Sequence, residues 1–258
     1  MKHIFLFALF ITSITLYSFD VHFEFDKNTK IDTTVVEKDT KITPISHATF
    51  VMEIKDVVIY LDPTGGAEAF QGQKEPNLIL ITDIHGDHLN IETLEAVTKS
   101  ATTIIAPQAV ADKLTDALKK QTQVISNGAH TTYKHIKIEA IPMYNLRPEA
   151  LKFHAKGRGN GYLLNNNGER IYISGDTEDI PEMRHLKNID IAFVCMNLPY
   201  TMPVKSAADA VLEFKPKEVI PYHYRGTDGL SDVDLFKSIV NTGDSKIKVT
   251  LLDWYSKN

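Results

Sequence analysis

The chain has 258 residues, 43% of them apolar and 24% charged, enough to bury a sizeable core as one large domain or two small ones. A formal net charge of −5, with no basic run, excludes a nucleic-acid partner held through phosphate contacts. The single cysteine, Cys195, excludes an intrachain disulfide and suits the periplasm as well as the cytoplasm.

In chain order, Lys2 is followed by "IFLFALFITSITL" (4–16), too short to span a bilayer as a helix but suited to the apolar region of a signal peptide. We read 1–19 as a signal peptide cut near Ser18, which implies a periplasmic or secreted protein with no stable membrane span after processing. An uncleaved anchor or a buried first strand is the alternative. Residues 20–40 are polar and β-branched and read as a linker or peripheral strand; 41–258 form the main domain. Val/Ile-rich strands are predicted near 48–54 and 57–62 around a tight turn at Lys55-Asp56, and "NLILIT" (77–82) as a buried strand. Leu89, Ile91, Leu94 and Val97 share a helical face that Asp87 or Asn90 would cap. Then follow a strand at 102–107, a helix at 108–120, strands near 123–126 and 136–143, and a hairpin over 161–176 turning at Gly168. Helices at 178–187, 204–214 and 231–240 alternate with strands at 189–194, 217–221 and 246–252. A β-rich first half followed by strand–helix alternation predicts an α/β protein of two packed sheets flanked by helices.

The end of the 77–82 strand carries the chemistry. Asp83-Ile84-His85-Gly86-Asp87-His88 places four metal-type ligands within six residues. In an extended segment Asp83 and His85 point the same way, and Gly86 permits a turn that brings Asp87-His88 beside them. A helix cap plus surface histidines is the bland alternative, and it leaves the clustering unexplained.

"DIHGDH" resembles the H-x-H-x-D-H signature of the metallo-β-lactamase-fold hydrolase superfamily, with Asp83 in the place of the first histidine. "LDP" (61–63), "YISGDTEDIPEM" (172–183) and "KPKEVIPYHY" (215–224) are similar to other segments of that superfamily, in matching order over about 45–225. The subgroup it looks most like is the ascorbate-phosphate-lactonase-like one. The resemblance implies a four-layer αββα sandwich of two mixed β-sheets flanked by helices. It also implies one metal held by Asp83, His85 and Asp176, and a second by Asp87, His88, Asp176 and His223. The ions would be divalent, Zn²⁺ ahead of Mn²⁺ or Fe²⁺, one or two per chain. Two departures stand out: the carboxylate of Asp83 makes the first position harder and more anionic, and Tyr144-Asn145 stand where a further histidine is expected. Asn145 offers a weaker amide oxygen, and His154 is near enough to fold back as a substitute.

By the same resemblance, Asp87 would orient the nucleophile and pass its proton to the leaving group of an ester, lactone, amide or phosphoester in a small-molecule substrate. "HAKGRGNGY" (154–162) combines His154, Lys156 and Arg158 with three glycines, which suggests an anion site and hence an anionic substrate. Tyr200 and Met202 of "MNLPYTMP" are candidates for a pocket wall, Arg225 for an anion clamp on the side of His223, and His47 for the pocket mouth. No serine or cysteine carries a nucleophile signature. Two other readings stay open: a metal-dependent redox protein, and a degenerate metal-binding module without catalysis.

Overall fold

The computed structural model describes residues 40–255; the expected signal peptide and residues 20–39 of the expected linker lie outside the described residues. Alternation along the strands decides the architecture. Phe50, Met52 and Ile54 of β2 (Thr49–Ile54) and Ile59 and Leu61 of β3 (Val57–Leu61) join one buried cluster. Val51, Val58 and Tyr60, between them in sequence, join another. Successive strand side chains point to opposite faces, so this sheet is covered on both sides.

The first sheet has the order β1-β2-β3-β4-β5-β6, with β1 (Thr40–Ser46), β4 (Leu78–Leu80), β5 (Thr103–Ala106) and β6 (Thr122–Val124). It is antiparallel from β1 to β3 and parallel from β3 to β6. Its outer face packs on α1 (Ile91–Val97), α2 (Gln108–Ala111) and α3 (Asp116–Lys119) through Leu94, Val97, Val110 and Leu118.

The second sheet has the order β15-β12-β11-β10-β9-β8-β7. Its antiparallel part is β7 (His130–Tyr133), β8 (Ile136–Met143), β9 (Gly159–Asn166) and β10 (Glu169–Ile173). Its parallel part continues through β11 (Ile191–Cys195), β12 (Glu218–Tyr222) and β15 (Lys248–Val249). Helices α4 (Pro181–Arg184), α5 (Val204–Phe214) and α6 (Val233–Gly243) supply Met183, Phe214 and Phe236 to the cluster beside it. A two-stranded ribbon, β13 (Arg225–Gly226) and β14 (Gly229–Leu230), completes the strands. The result is the expected four-layer αββα sandwich of two mixed sheets. Among the described residues no helix is long and apolar enough to cross a membrane.

The departures from the sequence reading are local. The single helix expected over 108–120 is broken into α2 and α3, because Thr115 takes an extended backbone (φ −68°, ψ 159°) and donates its hydroxyl to Glu95. Leu114 and Leu118, on either side of that break, are both buried. The helix expected over 178–187 is cut to one turn, Pro181–Arg184. The polar edge strand β7 carries no apolar run and was not anticipated.

The two sheets meet around a ring cluster. Phe50 stacks on Phe193 with centroids 4.5 Å apart and meets Tyr222 and Trp254 edge-on at 6.0 and 5.6 Å. The sheets also touch through polar backbone at one end: the Asn160 N–H donates to the Thr82 carbonyl (2.9 Å), and the Tyr162 hydroxyl to the Ile81 carbonyl (2.7 Å). A Cβ at Gly159 would lie 2.8 Å from the Thr82 carbonyl oxygen, so only glycine permits this approach. Replacing Phe50 by Ala should lower unfolding free energy by about 3–5 kcal/mol, read as a reduced denaturation midpoint at unchanged slope.

Candidate metal centre

Parallel strands deliver their following loops to one edge of each sheet, where α/β proteins build sites. Here β3 leads into Asp62, β4 into the 83–88 loop, β10 into Asp176, β11 into Asn197 and β12 into His223. The Asn90 side chain, not Asp87, caps α1 by accepting the Thr93 N–H (2.7 Å), which leaves Asp87 to the site.

Three segments far apart in sequence converge. His88 Nε2 lies 3.1 Å from His223 Nε2 and 3.4 Å from Asp176 Oδ2. His223 Nε2 is 3.1 Å from Asp176 Oδ1 and 3.5 Å from Asp87 Oδ2. Donors about 2.0–2.1 Å from one tetrahedral Zn²⁺ stand roughly 3.3 Å from each other, so these spacings suit a shared ion. His88, Asp176 and His223 are fully or almost fully buried; the Asp87 side chain is 41% exposed and faces a cavity.

Partners behind the donors fix their tautomers. His88 Nδ1–H donates to Asp62 Oδ2 (2.8 Å), and Asp62 also accepts the Thr82 N–H and hydroxyl (2.7 and 2.6 Å). His154 Nδ1–H donates to the Tyr200 carbonyl (3.1 Å), so its Nε2 lone pair faces Asp176 Oδ2 at 3.1 Å. That buried Nε2 has no hydrogen-bond partner, nor has Asp176 Oδ1. A lone pair against a carboxylate oxygen is repulsive unless a proton or a metal ion lies between them. Together, the clustered nitrogen and oxygen donors of His88, Asp176 and His223 fit a divalent cation.

The electrostatics agree. Burial opposes a charged Asp176, yet the imidazoles of His223, His88 and His154 hold it well below the usual carboxylate range. Burial also opposes a charged His88, but Asp176 and Asp62 on either side raise its pKa well above the ordinary value. Burial lowers the pKa of His223. The site attracts positive charge, whether proton or metal.

His47 stands behind Asp87. The Tyr255 hydroxyl accepts the backbone N–H groups of Tyr224 and Arg225 (both 3.1 Å), so its own proton goes to His47 Nδ1 (2.8 Å). His47 Nε2–H then donates to Asp87 Oδ2 (3.2 Å). Burial pushes the Asp87 carboxyl up, but the His47 hydrogen bond, with His88 and His223, brings it below the ordinary range.

Asp83, His85 and His154 form a second group beside the first. His154 thus reaches the site, whereas Asn145 turns its amide nitrogen to the Tyr200 and Ala150 carbonyls (2.6 and 2.9 Å). Arg158 is not free for substrate: Nε and Nη2 grip the two Asp83 oxygens at 3.0 and 2.8 Å. Lys156 is spent as well, on Glu182 (2.9 Å) and the face of Tyr144 (4.4 Å). Arg225 lies over the Tyr255 ring, 4.4 Å from its centroid, in a separate cleft. The expectation that it shares the side of His223 fails because His223 has φ +46°, which breaks the two-residue alternation. Tyr200 lines the site cavity with Phe153, but Met202 is buried in the core. Burial pushes the Cys195 thiol up to about 12, which removes it as a nucleophile. Asp62, Thr82 and Tyr255 escaped the sequence-based site; "LDP" was the one signal for Asp62.

A sandwich with this donor cluster at its sheet ends defines a metallo-β-lactamase-fold protein. The chain belongs to the beta-lactamase superfamily domain family, whose model matches residues 41–223. A UPF0173 metal-dependent hydrolase of Pyrococcus abyssi is 30% identical over 222 residues, covering 82% of this chain and 96% of the relative. A crystal structure from Parabacteroides distasonis, assigned as a metal-dependent hydrolase, is 41% identical with a TM-score of 0.73, over 82% of this chain and 92% of that one. Igni18, a metallo hydrolase of Ignicoccus hospitalis, shares the fold at 22% identity and a TM-score of 0.70, over 83% and 95%.

Because Asp176 and Asp62 raise the pKa of His88, a binding ion competes with a proton there. Calorimetric titration of metal-free protein with Zn²⁺, in buffers of different ionisation enthalpy, should show proton release and an affinity that tightens as pH rises.

Proposed function

We propose that the protein hydrolyses an ester, lactone, amide or phosphoester bond of a small molecule, using divalent metal held by His88, His223, Asp176 and Asp87. The convergence of these four donors from three separated segments carries the reading. Relatives named as metal-dependent hydrolases support it. Zn²⁺ suits the mixed nitrogen and oxygen donor set, with Mn²⁺ or Fe²⁺ as the other candidates. A bound ion supplies Lewis acidity, which makes water a competent nucleophile near neutral pH and polarises the scissile group.

The chain's own residues do the rest. Asp87 is the partly exposed carboxylate of the set, so it can accept a proton from water in the cavity and hand it to the leaving group. His47 holds it in one rotamer for that exchange. The cavity, about 310 Å³, suits a small molecule, and Phe153 and Tyr200 give it an apolar wall. The anionic substrate expected from the 154–162 loop loses its support, because Arg158 and Lys156 are each paired within the protein. The apolar stretch at 4–16 supports export to the periplasm or beyond.

Chelation should abolish turnover on a panel of aryl esters, lactones and phosphodiesters, and added Zn²⁺ or Mn²⁺ should restore it. Asp87→Asn should lower kcat by roughly 100-fold or more, the scale of a lost general base. Turnover on no panel member, with or without metal, would defeat this reading.

A further inference from the structure

Asp83 occupies a ligand position of the motif, yet its carboxylate is already engaged. It is fully buried, with Oδ1 accepting from Arg158 Nε (3.0 Å). Oδ2 accepts from Arg158 Nη2 and from His85 Nδ1, both at 2.8 Å. This two-pronged contact fixes the carboxylate plane, and a guanidinium keeps its charge at any physiological pH. A third contact holds Arg158 in place, Nη2 also donating to the Phe153 carbonyl at 2.5 Å. The same nitrogen lies 3.5 Å from His85 Nε2, which sets a positive group beside the donor a second ion would need.

We propose that Arg158 stands in for a second cation, so that the centre holds one tightly bound divalent ion, at His88, His223, Asp176 and Asp87, with Asp83 acting as a positioning residue for His85. This rests on the metal-centre reading above. With Arg158 paired to Asp83, its one carboxylate, that group presents no net negative charge to a dication. Asp176, which would have to be shared, faces His88 and His223 on the side of the tight ion and His154 on the other. Asp83 repeats at His85 what Asp62 does at His88: a carboxylate takes the Nδ1 proton and turns the Nε2 lone pair outward.

The test is the number of ions that full-length protein retains, measured by elemental analysis after loading with Zn²⁺ or Mn²⁺ and gel filtration. Wild type should retain one per chain. Arg158→Met, which keeps bulk and removes charge, should retain two, and Arg158→Lys one. Asp83→Asn is the second arm should Arg158→Met fail to fold. It should keep the tight ion with undiminished affinity, because neither Asp83 nor the His85 it positions holds that ion. Two ions in wild type, one in folded Arg158→Met, or weakened tight binding in Asp83→Asn would each overturn the inference while leaving the metal centre standing. No retained ion in wild type would overturn both.

Discussion

Everything in this molecule is arranged around an excess of buried acceptors at the edge where two sheets meet. Asp62, Asp83 and Asp176 are all but inaccessible to water, and Asp87 is close beside them. Burying a carboxylate costs several kcal/mol unless charge or hydrogen bonds replace the lost water. Asp62 recovers its bonds from Thr82 and His88, and Asp83 from Arg158 and His85. Asp176 does not: its close neighbours are imidazole nitrogens, and Oδ1 has no hydrogen-bond donor. That one unsatisfied carboxylate is what a cation would complete.

The fold supplies the rigidity such a concentration of charge demands. Each sheet combines antiparallel hairpins with a parallel half, so strands from both halves end at one edge. The apolar clusters hold the layers in place, and the Asn160–Thr82 and Tyr162–Ile81 hydrogen bonds tie the sheets directly beneath the site. Glu178 pins the neighbouring 144–147 loop by accepting the Leu146 and Arg147 N–H groups, both at 2.8 Å. Side chains held within such a frame lose little entropy on ordering around a ligand.

The histidines divide into donors and a positioner by what stands behind them. Asp62, Asp83 and the Tyr200 carbonyl take the Nδ1 protons of His88, His85 and His154, leaving Nε2 for the site. Tyr255 does the reverse for His47, giving a proton to Nδ1 so that Nε2 must donate to Asp87. A histidine in the same pocket thus takes opposite roles through the hydrogen-bonding sense of one neighbour.

By itself the sequence determined what is local. Apolar alternation marked most strands and α5 within a residue or two, and the spacing of Asp83, His85, Asp87 and His88 announced metal chemistry. Such signals are legible because a side chain's direction along a strand or helix follows from a short period. Only the tertiary structure decided what individual polar groups do. Arg158 meets Asp83 across 75 positions, and His47 meets Tyr255 across 208. Turns at positive φ, such as His223 at +46°, redirect side chains against the local period. Which donor faces which acceptor depends on sheet register and loop geometry, and no window of sequence encodes those by itself.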